Sequence, residues 1–243
     1  MLFNILLFTF LASIVSLMLV AVLLLHRTLI KKISFSLVAF AAGALLATAF
    51  LDTLKEALNL AGDKVLFWVI LSFAGFFLIE RLFLSVHHHD EGDNLRLPTS
   101  FLLFGDALHN FIDGTSIAAS FLVSFPLGIV TSLAVFVHEI PHELGDFGIL
   151  IHKGWGRGSV LGFNAATGAA ALFGALITFY LGSQFKDIVP LLLAITTGNF
   201  IYLSATDLLP EIHHKAKTSL ALNHSLFFLL GIFLIVILIR IIG

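Results

Sequence analysis

The run PLGIVTSLAVFVHEIPHELGDFGIL, residues 126–150, decides the fold, because it is long and apolar enough to cross a membrane yet carries titratable residues at its centre. Those residues are His138, Glu139, His142, Glu143 and Asp146. A charged side chain at membrane depth costs about 3 kcal/mol or more unless it is paired, hydrated or bound to metal. Five such residues in one segment therefore predict a functional site inside a membrane.

The composition of the whole chain also indicates a membrane protein. Of its 243 residues, 59% are hydrophobic and 12% are charged, and the mean hydropathy is +1.07. This is about half the charged share of a soluble domain. The net charge of −2 and the lack of a basic stripe argue against a nucleic-acid partner. Because the sequence has no cysteine, any metal must be held by nitrogen and oxygen ligands.

The apolar segments predict an all-α polytopic membrane protein with eight transmembrane helices in a single domain, residues 1–243. A spanning helix needs about 20 mostly apolar residues. The predicted spans are 3–25, 33–51, 64–84, 98–122, 126–150, 159–182, 188–209 and 220–240. We expect the first to be a mature helix, because the N-terminal segment lacks the basic region and the small-residue cleavage site of a signal peptide. The fourth and fifth should form an antiparallel hairpin.

The distribution of Lys and Arg predicts the orientation. Nine of these 13 residues fall on one side of the membrane and four on the other. By the positive-inside rule, the N- and C-termini lie outside and the loop 85–97 lies in the cytosol. The expected location is the plasma membrane, which in a bacterium is the inner membrane, with the lipid bilayer as a partner.

A second polar cluster, formed by His109, Asn110 and Asp113, lies near the middle of the predicted fourth span. On a helix these residues fall within an arc of about 100°, and the cluster of the fifth span covers about 140°. The two polar faces can therefore meet near the bilayer midplane. Imidazole nitrogens with carboxylate oxygens suit zinc and other first-row divalent ions. Six or more ligands exceed one tetrahedral set, which indicates two adjacent metals or successive stations on a path.

The alternative is that these polar groups join helices by hydrogen bonds without contacting metal. This alternative applies above all to Asn110, whose amide is a good interhelical hydrogen-bonding group.

The motif His109-Asn110-x-x-Asp113-Gly114, followed by His138-Glu139-x-Pro141-His142-Glu143-x-Gly145-Asp146, resembles spans four and five of the ZIP family of metal transporters. The second motif is similar to that of the HExPHE subfamily. The resemblance implies secondary transport of zinc into the cytosol through a binuclear midplane site, with iron, manganese and cadmium as further candidates. It also implies a 3+2+3 arrangement of helices and a homodimer. The ligands it implies are His109, Asn110, Asp113, His138, Glu139 and His142.

Two departures from the family pattern remove expected ligands. Asp52 and Lys55 stand where the family often has His and Pro in span two. Span six has Asn164 and Thr167 but no carboxylate, whereas some relatives place a Glu there. An outer metal station and a second metal site would both be poorer in ligands here.

His138-Glu139-x-x-His142 also fits the zincin motif, in which two His bind zinc and Glu is the general base. The alternative function is therefore an intramembrane zinc metalloprotease, with Asp113 as third ligand. Pro141 inside the motif argues against it. So do the extra ligands, because catalytic zinc needs an open position. We accordingly predict a transporter and not an enzyme.

Two further groups of residues are candidates for metal contact. Asn199, Asp207, Glu211 and His214 lie in or after span seven, and the last three share a helix face at i, i+4 and i+7. They predict a cytosolic exit station, or alternatively a solvated helix end. The tract His87-His88-His89 in the 85–97 loop predicts an accessory metal trap, or alternatively a simple connector.

Overall fold

The computed structural model describes residues 1–85, 99–215 and 221–242, and every regular element in these ranges is helical. The all-α prediction is confirmed. The tract His87, His88 and His89 lies outside the described residues, and so does the side chain of His214.

Eleven α-helices follow one another along the described chain. They are α1 (Leu2–Phe10), α2 (Ser16–Leu23), α3 (Arg27–Thr48), α4 (Leu54–Ala61), α5 (Lys64–Ser85), α6 (Thr99–Val123), α7 (Phe125–His152), α8 (Arg157–Gln184), α9 (Val189–Tyr202), α10 (Leu209–Lys215) and α11 (Ala221–Ile242). Three π-helical turns join α1 to α2, α3 to α4 and α9 to α10, at Leu11–Val15, Ala49–Thr53 and Leu203–Leu208. Each of these joined pairs forms one continuous helical segment, which we call a rod.

Within the described ranges, seven helices or rods are long and apolar enough to cross a membrane, so the chain is an integral membrane protein. They are Leu2–Leu23, Ile33–Ala61, Lys64–Leu82, Phe125–His152, Arg157–Gln184, Lys186–Ile212 and Leu222–Ile242. Helix α6, the predicted fourth span, has 25 residues but is not among the seven. The count of eight therefore stays a prediction.

The second rod continues past residue 51, where we had expected the span to end. In its π turn, the Thr53 hydroxyl is 3.2 Å from the Ala49 carbonyl oxygen and 2.8 Å from the Thr197 hydroxyl of α9. The rod ends only at Gly62, whose φ of 67° is a conformation that glycine adopts without steric cost. Asp52 and Glu56 therefore lie within the helical rod.

Helices α6 and α8 cross at two glycines where their backbones touch. A Cβ added at Gly114 of α6 would lie 1.8 Å from the carbonyl oxygen of Ala171 in α8. A Cβ added at Gly174 of α8 would lie 2.1 Å from the carbonyl oxygen of Phe111 in α6. Close backbone approach at small residues stabilises helix pairs in lipid, where the hydrophobic effect between helices is absent. Helix α8 therefore fixes the position of α6.

Helices α3 and α11 repeat this arrangement. A Cβ at Gly43 would lie 2.1 Å from the Phe228 carbonyl oxygen, and one at Gly231 would lie 2.1 Å from the Phe40 carbonyl oxygen. Helix α11 covers α3 on one side, and only 11% of its spanning segment is buried. The rest of its apolar surface is available to lipid.

Helices α6 and α7 form a tight antiparallel hairpin around Ser124. The Ser124 hydroxyl accepts a hydrogen bond from the Leu127 backbone N–H at 3.2 Å and so caps α7. Close to the turn, the Thr131 hydroxyl donates to the Ser120 hydroxyl at 2.9 Å. This pairing sets the register that brings His109 and Asp113 opposite His138.

Candidate metal centre

Four side chains from the hairpin converge in a group that we call the inner group: His109 and Asp113 of α6 with His138 and Glu139 of α7. One nitrogen or oxygen atom of each lies within 4.8 Å of those of the others. His138 Nε2 is 3.0 Å from Asp113 Oδ2, and His109 Nε2 is 3.2 Å from Glu139 Oε1. The two Nε2 atoms are 3.4 Å apart. The inner group thus offers two imidazole nitrogens and two carboxylates to one point.

The orientation of His138 is fixed by the backbone of its own helix. Its Nδ1–H donates to the carbonyl oxygen of Ala134 at 3.0 Å. In the neutral ring, Nε2 then carries a lone pair and faces Asp113 as a second acceptor. A hydrogen bond at the far nitrogen is the usual way in which proteins orient a metal-binding imidazole.

The carboxylates of the inner group are buried and incompletely paired. Asp113 and Glu139 are each 1% exposed; Asp113 Oδ2 lies against His138 Nε2 and Glu139 Oε1 against His109 Nε2, while Asp113 Oδ1 and Glu139 Oε2 have no hydrogen-bond partner among the described residues. An uncompensated buried carboxylate costs several kcal/mol. Two carboxylates and two imidazole nitrogens that converge in this way repel one another unless protons or a metal cation lie between them. The inner group is therefore chemically suited to a cation.

A second group, which we call the outer group, contains Asp106 of α6 with His142 and Asp146 of α7. His142 Nδ1 is 3.8 Å from Asp106 Oδ1 and 3.9 Å from Asp146 Oδ2. The side chains of Asp106, His142 and Asp146 are 8%, 34% and 18% exposed. The outer group is thus more open than the inner group.

The structure brings together four of the six residues that the sequence favoured as ligands. His142 instead belongs to the outer group, where its ring stacks on that of His109 with 4.3 Å between centroids. Asn110 belongs to neither group. Its side-chain amide donates to Oδ1 and to the carbonyl oxygen of Asp106, at 2.9 Å and 3.1 Å.

The other candidates lie apart from the inner group. Glu143 is buried and accepts a hydrogen bond from the side-chain amide of Asn164, which links α7 to α8. Asn199 is buried, and its amide nitrogen has no partner among the described residues. Asp207 is exposed and accepts from the Thr206 hydroxyl, while Glu211 is half-buried. Among the described side chains, both groups draw on α6 and α7 alone.

An apolar layer, which we call the apolar cap, covers the inner group on the side of the hairpin turn. It contains Ile117, one turn after Asp113, and Val135, one turn before His138. The Phe200 ring of α9 lies 6.4 Å from the His138 ring, centroid to centroid, and is fully buried. The opposite side leads to the half-exposed His142. Access to the inner group is therefore asymmetric.

Asp106 is the residue that the sequence reasoning missed. It lies one turn before His109 and Asn110 in the predicted fourth span, so it met the same criterion of an ionisable residue inside an apolar segment. It was not singled out because it lies outside the motif His109-Asn110-x-x-Asp113.

Comparison with known proteins identifies the family. A family model described as ZIP Zinc transporter matches residues 93–239, which include the inner group and the outer group. The chain belongs to the ZIP family. ZIP proteins are transporters rather than enzymes. Membership of the HExPHE subfamily stays a prediction.

Several curated ZIP proteins are similar to this chain. Zinc transporter foi of Drosophila melanogaster is 39% identical over 130 residues, which are 54% of this chain and 18% of that protein. Zinc transporter ZIP4 of Homo sapiens is 41% identical over 118 residues, 49% of this chain and 18% of that protein. Zinc transporter ZIP13 of Pongo abelii is 31% identical over 217 residues, 83% of this chain and 65% of that protein. The chain thus spans only part of each of these relatives.

Proposed function

We propose that this chain carries a divalent transition metal, zinc above all, across the membrane into the cytosol. The observation that carries the proposal is the inner group, in which two imidazoles and two buried carboxylates converge between membrane helices. Two nitrogen and two oxygen ligands form the kind of set that zinc prefers. The names of the similar ZIP proteins support zinc, and iron, manganese and cadmium are the further candidate substrates.

The asymmetry of access supports transport towards the cytosol. The beginning of α6 and the end of α7 lie on the side that the Lys and Arg bias assigns to the cytosol. The more open outer group is on that side, whereas the apolar cap covers the other side of the inner group. In this conformation, an ion in the inner group would exchange with the cytosolic side. We place the chain in the plasma membrane as a homodimer, with both termini outside.

We also propose that the site is binuclear. Ligand atoms continue past the inner group to His142, whose ring stacks on that of His109. A second ion on this side would lie next to the first.

The protease alternative is not favoured. A zincin zinc is bound by both His of its motif, but here His138 and His142 belong to different groups. The family is one of transporters.

Uptake by the purified chain tests the proposal directly. In sealed proteoliposomes, we expect time-dependent accumulation of radioactive zinc that unlabelled zinc suppresses most strongly among zinc, iron, manganese and cadmium. Liposomes without protein provide the control. Accumulation no faster than in those liposomes would overturn the proposed function.

Substitution of His138 by Glu should shift selectivity towards manganese. The change replaces a borderline imidazole nitrogen by a hard, charged oxygen in a group that already has two carboxylates. We expect the ratio of manganese to zinc uptake to rise several-fold. His152→Glu, at the exposed end of the same helix, adds the same charge outside both groups and should leave the ratio unchanged. If His138→Glu transports with the wild-type ratio, His138 is not a ligand.

A further inference from the structure

We propose that the turn between α2 and α3 and the turn between α7 and α8 together form a docking surface for the headgroup of an anionic phospholipid. We call this surface the basic patch, and it is formed by His26, Lys153, Trp155 and Arg157. The inference goes beyond the proposed function, since it requires no metal. It takes from that proposal only the orientation, which places both turns at the cytosolic surface of the membrane.

Apolar packing beneath the basic patch brings the two turns together. Leu23, the last residue of α2, packs on the same buried cluster as Trp155. This cluster includes Leu150 of α7 and Val160 of α8. His26 lies between α2 and α3 and is exposed. The ends of α2 and α7 and the beginnings of α3 and α8 therefore lie close together at one surface of the membrane.

The charge at these two turns is positive, and no acidic residue neutralises it from the neighbouring sequence. Residues 1–51 and 147–185 contain no Asp or Glu. Lys153 and Arg157 flank the α7–α8 turn. The first turns of α3 contain three more basic residues, which are Arg27, Lys31 and Lys32. Clusters of about four to eight Lys and Arg residues beside a membrane helix attract anionic lipids, and the two turns reach this number.

Trp155 gives the basic patch a fixed interfacial anchor. Its ring is edge-on to that of Phe163, with 5.7 Å between centroids and 89° between planes. Its backbone N–H donates to the carbonyl oxygen of Leu150 at 3.1 Å, and Gly154 reverses the chain with a φ of 86°. Tryptophan is enriched at the headgroup level of bilayers. The turn thus holds an interfacial ring and the Arg157 cation two residues apart.

The combination of charge and apolar surface favours a lipid over a free phosphate ion. A phosphate group needs only the cations, whereas the half-buried Trp155 also offers surface to the glycerol and the start of the acyl chains. The patch lies at the ends of membrane-spanning helices, where headgroups are already present. A headgroup that contacts both turns would hold the end of α7 against the beginning of α3.

Native mass spectrometry of the purified chain tests the basic patch without metal. The chain is released from detergent micelles that contain phosphatidylglycerol or phosphatidylcholine, and we expect it to retain phosphatidylglycerol preferentially. Arg157→Gln should weaken the apparent affinity for phosphatidylglycerol about fivefold, the effect of one basic residue near an anionic surface. Lys186→Gln removes an exposed basic residue between α8 and α9, on the other side of the membrane, and should bind like the wild type.

Two further measurements separate charge and lipid from other causes. Arg157→Lys keeps the positive charge and should retain most of the affinity, which a general folding defect at this position would not allow. Inorganic phosphate in excess should leave phosphatidylglycerol bound, because it lacks the apolar part of the ligand.

The basic patch is refuted by equal retention of the two lipids by the wild type, or by an unchanged affinity in Arg157→Gln. Equal losses in Arg157→Gln and Lys186→Gln, or in Arg157→Gln and Arg157→Lys, would also contradict it. Full displacement by inorganic phosphate would show a site for a soluble anion instead. The proposed function fails on a different measurement, which is the absence of zinc uptake by wild-type proteoliposomes.

Discussion

His138→Ala should reduce zinc uptake to the background of protein-free liposomes while leaving the amount of folded protein nearly unchanged. His138 Nε2 is 3.0 Å from Asp113 and 3.4 Å from His109, so its removal opens the inner group at its centre. Altering an outer contact of a metal ligand already costs about 10–100-fold in affinity, and loss of the ligand itself should cost more. Initial rates of radiotracer zinc uptake measure the effect.

His152→Ala provides the matched control for this variant. His152 is the last residue of the same helix α7 and is exposed, so the substitution removes an imidazole without touching either group. It should transport zinc at the wild-type rate. Uptake by His138→Ala at a rate similar to that of His152→Ala would show that the inner group does not bind the transported ion.

Gly114→Ala should lower the thermal stability of the protein and abolish uptake. The added Cβ would lie 1.8 Å from the backbone oxygen of Ala171, which no side-chain rotation can relieve. Overpacking of this kind costs about 1–3 kcal/mol, occasionally more, which corresponds to a fall of about 2–12 °C in Tm for a chain of this size. Because Asp113 immediately precedes Gly114, separation of α6 from α8 also displaces a proposed ligand. Scanning calorimetry in detergent measures the shift.

The variant Gly105→Ala is the control that distinguishes the effect of close packing on Tm from the effect of helix propensity. Gly105 lies in the same helix α6, and a Cβ there would meet nothing within 4 Å. Because Ala is the better helix former, this variant should be as stable as the wild type or slightly more so. Equal Tm values for the two variants would contradict the close contact between α6 and α8.

The fold class and the helices that carry the candidate metal centre could be predicted from the sequence. Long apolar segments in a chain with few charges leave the helix as the main solution, because backbone polar groups in lipid must be satisfied internally. The short link at Ser124 then places the polar faces of α6 and α7 side by side. A few ionisable residues in such segments are enough to locate the region of the site.

The division of the candidate ligands into two groups could not be predicted. The spacing of His138 and His142 places both on one helix face, but one helical turn between them is enough to assign them to different groups. The direction of each side chain also decides which group it joins. Asn110 points its amide to Asp106 and not into the inner group. Sequence spacing specifies a face, and it does not specify these directions.

The length of the second rod also could not be predicted from the sequence. A π turn at Ala49–Thr53 inserts a local change of register that an apolar pattern does not reveal. The predicted second span ends at residue 51, just before Asp52, whereas the backbone continues as a helix to Ala61, with Gly62 as its C-cap.

The apolar cap has a consequence for the energy balance of the cell. A polar path that stayed open at both ends would let protons and sodium ions run down their gradients and discharge the membrane potential. Ile117, Val135 and Phe200 place a layer of hydrocarbon on one side of the inner group, and a bare ion entering such a layer loses its hydration at a cost of many kcal/mol. The cap would therefore act as electrical insulation, so that the proposed metal site does not become a leak.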